Sequence, residues 1–199
     1  MIPKELEARL ERLEDIEEIN KLQRAYGYYI ERYEGEQIVD LFSSSPDVSA
    51  EVGTDGLFVG PEEIKLCFLR DGLKDLSGFL HSVMQVCGIV DVDPGGKTAK
   101  GRWYGFGHSA KPVGKVVITK WRFGVYENEY VKEDGKWKIK KLLWSPIIFT
   151  PYEDGWGKTP YSDAAPNPRL HREPVHTWLK PLPSSERYPY HYKNPVSWK

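Results

Sequence analysis

Two of the five histidines fall within segments that alternate like β-strands, and these two are the residues best suited to acid–base chemistry. His81 lies in the apolar run 79–92, and His108 ends the run 98–108. An imidazole is close to half-protonated near neutral pH, so it can remove a proton and return it. A histidine in a strand can equally be a structural residue whose hydrogen bonds are satisfied. The other three histidines occupy a proline-rich stretch without the spacing of a metal site: His171, His176 and His191.

A second polar surface is predicted for the segment 124–131. Because successive side chains of a strand point to opposite faces, Tyr126, Asn128 and Tyr130 share one face, and Glu127 and Glu129 share the other. A face of tyrosine and asparagine can line an apolar cavity that offers a few hydrogen bonds. The alternative is a half-buried strand whose hydroxyl groups reach water.

The rest of the pattern shows which elements must position these residues. Apolar residues at spacings of three and four predict a helix over 4–30, a second helix over 36–42 and a third that begins near Pro61. Alternating runs predict strands over 47–52, 57–59, 79–92, 98–108, 115–133 and 136–144, with a bend near Gly124 and a hairpin turn at Asp134-Gly135. Helices followed by antiparallel strands predict an α+β fold in which a curved sheet wraps around the helices.

The composition changes after residue 150. Nine of the fifteen prolines lie in the segment 151–199, interleaved with eight tyrosines and tryptophans. Proline disfavours regular elements, whereas disordered tails are usually poor in aromatic residues. We therefore predict a domain over 1–150, followed by an extended arm over 151–199 that packs on the domain or on a neighbouring subunit.

Composition excludes several classes of function. A net charge of −1 argues against nucleic-acid binding, and the lack of a long apolar run argues against a membrane span. The charged N-terminus is unlike a signal peptide, and two cysteines in apolar surroundings fit a reduced cytoplasmic setting. The sequence lacks a glycine-rich phosphate loop, a Cys-x-x-Cys pair and a Gly-x-Ser-x-Gly motif, which narrows the classes of site to be considered.

Three stretches together resemble a known family. They are the helical segment 13–22 with the tyrosines that follow it, the strand 124–131, and the sequence Asp-Gly-Lys-Trp-Lys-Ile at 134–139. Over about residues 5–145 the chain is similar to the SnoaL-like branch of the nuclear transport factor 2-like superfamily. The resemblance implies a cone-shaped sheet around helices with a deep pocket. The family includes dehydratases, a dehydrochlorinase, isomerases, cyclases and proteins without catalytic activity, so the resemblance leaves the reaction open.

The dehydratase branch of that family implies specific site residues. Its acidic residue at the end of the first helix falls on Glu31, and its two strand histidines fall on His81 and His108. Dehydratases commonly have Asp where this chain has Glu31, which moves the carboxylate by about one methylene. In this hypothesis His81 is the base, Glu31 orients it, and His108 acts on the leaving group. Tyrosines and an amide would bind the substrate: Tyr28, Tyr29, Tyr104, Tyr126 and Asn128.

The reaction that the resemblance implies is an elimination without a cofactor. A bulky hydrophobic small molecule, expected to be aromatic or polycyclic, would lose water, or would lose formaldehyde if it is a hydroxymethyl-bearing diaryl compound. An isomerase or cyclase with the same proton-transfer groups, and a non-catalytic ligand-binding module, remain as alternatives. A metal site made of the two histidines and the carboxylate is a further alternative, which the family disfavours. Trp103, Val125 and Val131 are expected on the outer face of the sheet, and together with the aromatic arm they predict a homo-oligomer, either a trimer as in the dehydratase branch or a dimer.

Overall fold

The computed structural model describes residues 3–69, 76–162, 170 and 172–198. The helices are α1 Lys4–Arg32, α2 Gly35–Asp40, α3 Pro61–Phe68 and α4 Gly155–Lys158. The strands are β1 Ser49–Val52, β2 Leu57–Val59, β3 Leu80–Val92, β4 Thr98–Val113, β5 Val116–Glu133 and β6 Lys136–Pro151. The strands form a single six-stranded sheet in the order β2-β1-β6-β5-β4-β3, antiparallel except where β1 runs parallel to β6. The predicted α+β cone is confirmed.

Helix α1 packs inside the curved sheet through one face only. The buried positions Asp15, Ile19, Gln23, Tyr26 and Ile30 recur at spacings of three and four, so they lie on one side of the helix. The apolar stripe predicted by the sequence begins earlier than the contact with the sheet. The N-terminal turns of the helix extend beyond the packed core, so their leucines are about half exposed or more: Leu6, Leu10 and Leu13.

Three glycines and one large side chain, that of Trp103, lie on the inner face of β4. Trp103 is buried on this face, opposite Tyr126 of β5. A Cβ atom at Gly105 would collide with the Trp144 ring and approach the Tyr126 ring, so only glycine leaves room for these two aromatic side chains. The expectation that Trp103 lies on the outer face is wrong. The glycines of β4 and Trp103 face the helix.

The segment after β6 runs over the outside of the sheet. Val175 accepts a hydrogen bond from the backbone of Leu57 in the edge strand β2 (2.7 Å), and Leu182 donates to the backbone of Ile147 in β6 (2.9 Å). Between these points the carboxylate of Glu51 accepts the backbone N–H groups of Thr177 and Trp178, both at 2.9 Å. The described part of the segment thus pairs with a free sheet edge and then crosses the outer face. No helix among the described residues is long and apolar enough to cross a membrane.

Candidate functional site

The hydroxyl groups of Tyr26 and Tyr126 meet between α1 and β5. Their rings approach edge to face at 6.1 Å, and the two hydroxyls are hydrogen-bonded to each other. Burial raises the pKa of both phenols above the usual tyrosine range, because the charged phenolate would lose its hydration. Both tyrosines are therefore neutral near pH 7 and available as hydrogen-bond donors.

Gln85 of β3 is a second hydrogen-bonding neighbour of Tyr126, after Tyr26. Its side-chain amide is hydrogen-bonded to the Tyr126 hydroxyl and donates to the backbone carbonyl of Val83 (2.8 Å). The amide also lies directly against α1 at Gly27, where a Cβ atom would collide with it. A glycine in the middle of a helix costs stability, and here it allows β3 and α1 to approach closely.

Arg122 brings a positive charge to the same inner face of the sheet. Its Nε donates to Ser109 Oγ (3.1 Å), and its guanidinium lies 4.6 Å above the centre of the Phe149 ring. The charge of Arg122 opposes the effect of burial on the pKa of Tyr126, since it favours the phenolate. The guanidinium thus lies close enough to favour negative charge on the Tyr126 hydroxyl.

His81 also lies on the inner face. It pairs in register with Ser109, the residue that accepts the hydrogen bond from Arg122. The His81 ring meets the edge of the Tyr33 ring at 5.7 Å. Tyr33 ends α1 in a left-handed conformation (φ 52°), which turns the chain at the end of the helix. The inner face therefore gathers a base, a cation and three tyrosines.

His108 lies on the opposite face of the sheet, so the expectation that it shares a pocket with His81 is wrong. It pairs with Ser82, the residue after His81, and neighbours along a strand point to opposite sides. His108 is exposed and stacks on Trp121 at 6.2 Å. The two histidines cannot hold one metal ion, and no cluster of three His, Cys, Asp or Glu side chains suited to a metal occurs among the described residues.

Glu31 is likewise outside the site. Ile30 is buried against the sheet, and the next residue of a helix is rotated by about 100°. Glu31 therefore faces solvent and is exposed. The predicted contact between this carboxylate and His81 is not formed.

The five predicted substrate-binding residues divide in the same way. Tyr126 lies in the inner site, and Tyr29 is half-buried beside the core. Tyr28 is 71% exposed, and Tyr104 stacks on Phe123 on the outer face. Asn128 is fully buried and bonds to Gln23 (2.9 Å), Tyr130 (3.2 Å) and the backbone N–H of Leu143 (3.2 Å). Both N–H donors and the oxygen of its amide thus have partners within the protein.

Four residues of the inner site were not predicted from the sequence as site residues: Tyr26, Tyr33, Gln85 and Arg122. Arg122 could have been found, because it is four residues before Tyr126 in the same strand and so shares its face. Gln85 shares the face of His81 by the same rule. Tyr26 is four residues before the buried Ile30 of α1, on the same side of the helix. Nothing in the local sequence identifies Tyr33, whose position depends on how α1 ends.

Comparison with protein families agrees with this architecture. Residues 11–142 match the family model described as a SnoaL-like domain. No curated protein matches the sequence.

Several solved structures are similar to the chain. A candidate scytalone dehydratase from Novosphingobium aromaticivorans is 18% identical with a TM-score of 0.60, over 80% of this chain and 97% of that chain. A hexachlorocyclohexane dehydrochlorinase of type 3 from Novosphingobium barchaimii is 18% identical with a TM-score of 0.58, over 72% and 93%. A candidate dehydratase from Streptomyces avermitilis is 17% identical with a TM-score of 0.55, over 69% and 99%. At this level of identity the likeness shows a shared fold.

Proposed function

Because this chain belongs to the SnoaL-like family, we propose that its inner site catalyses an elimination from a bulky hydrophobic, aromatic small molecule without a cofactor. The observation that carries the proposal is the convergence of His81, Arg122 and the Tyr26–Tyr126 hydroxyl pair on the inner face of the sheet. A base, a cation and neutral donors are the groups that a proton-transfer reaction requires.

In the dehydration of a β-hydroxy carbonyl compound, His81 removes the proton next to the carbonyl group. The electron pair moves onto the carbonyl oxygen, and the Tyr126 hydroxyl stabilises that oxygen with a hydrogen bond while Arg122 lies near with a positive charge. The electron pair then returns, the carbon–carbon double bond forms and the hydroxyl group leaves. The proton taken by His81 completes the water molecule.

Loss of formaldehyde uses the same groups in a different order. His81 removes the hydroxyl proton of a hydroxymethyl group, the bond between that group and the ring-bearing carbon breaks, and formaldehyde departs. The electron pair left on the carbon is delocalised into the aromatic system and then takes up a proton from His81. Neutral tyrosines suit both reactions, since they can donate to an oxygen that gains negative charge.

The neighbouring proteins support the same chemistry, since their names describe dehydratases and a dehydrochlorinase. An isomerase or cyclase would begin with the same proton abstraction and keep every atom of the substrate. The mass of the product therefore separates the two: an eliminated product is lighter by water or formaldehyde, and an isomer has the mass of the substrate.

The test is a substrate panel of β-hydroxy aryl ketones and hydroxymethyl-bearing diaryl phenols, followed by mass spectrometry and by a chemical assay for formaldehyde. Tyr126→Phe should lower turnover of a substrate by about 100-fold, the usual loss for one donor to an oxyanion. Tyr104→Phe is the matched control, because it removes a hydroxyl from the outer face, and should retain turnover. Equal turnover of both variants would contradict the proposal.

A further inference from the structure

A directional chain of hydrogen bonds crosses from the sheet to α1 beside the hydroxyl pair. The backbone N–H of Leu143 donates to Asn128 Oδ1 (3.2 Å), and Asn128 Nδ2 donates to Gln23 Oε1 (2.9 Å). The Tyr130 hydroxyl donates to the same Gln23 oxygen at 2.8 Å. Every donor before Gln23 has an acceptor, and the chain ends on the oxygen of the Gln23 amide.

The chain fixes the orientation of the Gln23 amide. If the amide were turned over, its NH₂ group would face the Asn128 NH₂ group and the Tyr130 hydroxyl would lose its acceptor. Nε2 of Gln23 is therefore the donor that remains. The residue is 1% exposed, and none of the described residues accepts a hydrogen bond from this atom. A buried donor without an acceptor is costly, so a further acceptor is expected at this point.

The position of Gln23 connects it to the inner site. It lies on the buried side of α1, three residues before Tyr26, and its partner Asn128 lies two residues after Tyr126 on the same face of β5. The Gln23–Asn128 pair and the Tyr26–Tyr126 pair are thus consecutive levels of contacts between the helix and the strand. The Gln23 amide and the hydroxyl pair are therefore less than one turn of α1 apart along the same side of the helix.

We propose that Gln23 Nε2 binds an acceptor oxygen at the buried end of the substrate, which restricts the substrates to those with a neutral oxygen, such as a ketone carbonyl, at that end. The proposal depends on the function proposed above and deepens it by naming this feature. The groups around the position are an amide and neutral phenols, including Tyr130, whose pKa is raised by burial. Such surroundings favour an uncharged acceptor over a carboxylate.

The probes are 1-tetralone and tetralin, which differ in one carbonyl oxygen. Calorimetric titration of the full chain should give a dissociation constant for 1-tetralone at least about tenfold below that for tetralin, since one buried donor is satisfied by the first ligand alone. Gln23→Met should reduce this preference to less than about twofold. Gln37→Met removes an exposed amide from α2 and should preserve the preference.

A second measurement does not depend on a variant that has to fold. The chain contains three glutamines, so ¹⁵N labelling of glutamine gives three pairs of side-chain amide signals, and Gln37→Met helps to assign them. The Gln23 pair should shift downfield with 1-tetralone and remain in place with tetralin. The assignment is overturned if 1-tetralone does not bind, if the two probes bind equally, or if the Gln23 signals stay fixed when 1-tetralone binds, as they would if a permanent water molecule occupied the position.

The outcomes separate this proposal from the proposed function. If an elimination that needs Tyr126 is observed while the Gln23 signals stay fixed, the amide has no part in binding and the function stands. If Gln23 binds the carbonyl while no member of the substrate panel is converted, the site is a binding pocket and the proposed elimination is wrong.

Discussion

The two faces of the sheet satisfy their polar groups in different ways. On the inner face around Tyr126, hydroxyls and amides are bonded to one another, as in the Tyr26–Tyr126 and Gln23–Asn128 pairs, and the Arg122 cation donates to a serine hydroxyl. On the outer face, buried charges are paired with opposite charges: Arg102 donates to Glu127 (3.0 Å), which also binds His191 of the C-terminal segment. Neutral donors can serve a substrate, whereas the outer charges hold the protein's own chain in place.

The outer face is itself divided into two halves. Near the start of β4 the C-terminal segment covers it, and Arg102 donates to the backbone carbonyls of Tyr188 (3.1 Å) and Pro189 (3.0 Å). Towards the end of β4 the face carries exposed or half-buried aromatic rings that stack on one another: Tyr104, Phe106, His108, Trp121 and Phe123. His108 therefore belongs to an aromatic outer surface, whereas His81 lies with the proton-transfer groups of the inner face.

The largest effect is expected for the two histidines. His81→Ala should lower turnover by about 100-fold or more, because general-base catalysis contributes about 10²–10⁴. His108→Ala should retain turnover, since its ring lies on the outer face. Turnover of a substrate found in the panel and the thermal midpoint are measured for both. A loss of similar size in His108→Ala at an unchanged midpoint would break the distinction between the faces.

The charges beneath the C-terminal segment should contribute chiefly to stability. Arg102 and Glu127 are about nine-tenths buried as a pair, so Glu127→Gln leaves a buried guanidinium with weaker compensation. Removing one partner of a buried pair costs about 3–5 kcal/mol, and we expect a loss near the lower value because the Tyr188 and Pro189 carbonyls still accept from Arg102. Chemical denaturation measures the loss.

Limited proteolysis should show faster cleavage of the segment after residue 150 in Glu127→Gln. Glu129→Gln is the matched control, because Glu129 is half exposed and lies 4.0 Å from Lys141. An exposed pair at this distance contributes about 0–1 kcal/mol. If both variants lost the same stability, the contact with Arg102 and His191 would not be what holds the segment.

Periodicity was sufficient to predict α1 to α3, the six strands, the bend at Gly124 and the α+β cone, but it missed α4 and ended β4 and β6 five and seven residues too early. Alternation along the run 98–108 also places Arg102, Tyr104, Phe106 and His108 on one face, as the structure shows. It could not tell which face is inner, because alternation is the same on either side of a strand. The glycines of β4 carry that information, since Gly101, Gly105 and Gly107 lie beneath side chains or neighbouring backbone where no Cβ fits.

Two other features of the site depend on contacts between distant parts of the chain. The buried side of α1 is set by the sheet, so the end of the helix turned Tyr26 and Ile30 inwards and left Glu31 in solvent. The path of the C-terminal segment is set by single contacts such as Glu51 with Thr177, separated by 126 positions. No local pattern predicts pairs at that separation.

A third prediction concerns the aromatic half of the outer face. We propose that it mediates the homo-oligomer, a trimer or else a dimer, because exposed apolar surface of this kind commonly marks an interface. Phe106→Asp should weaken self-association by about tenfold or more, as seen by light scattering over a range of protein concentrations. Lys100→Asp, on the same strand near the covered half, should associate as the unchanged chain does. A monomer in the unchanged chain at micromolar concentration would contradict the proposal.

The smallest effect is expected from the inner tyrosines at alkaline pH. Burial raises the pKa of Tyr26, Tyr126 and Tyr130 in the folded chain, whereas in the unfolded chain each has the usual value of about 10. Below that pH both states keep the phenol proton, so stability is unaffected. Above it the unfolded state loses protons that the folded state retains, and stability falls by about 1.4 kcal/mol per pH unit for each tyrosine. Tyr126→Phe should therefore lower the loss of stability above pH 10 by about 1.4 kcal/mol per pH unit, and should leave the pH dependence unchanged near pH 7.

Denaturation at several pH values measures this dependence, and phenolate absorbance should show these three tyrosines ionising together with unfolding. If they ionised reversibly while the circular dichroism of the fold persisted, the inner face would be open to solvent and hydroxide, and it would differ less from the outer face than the structure indicates.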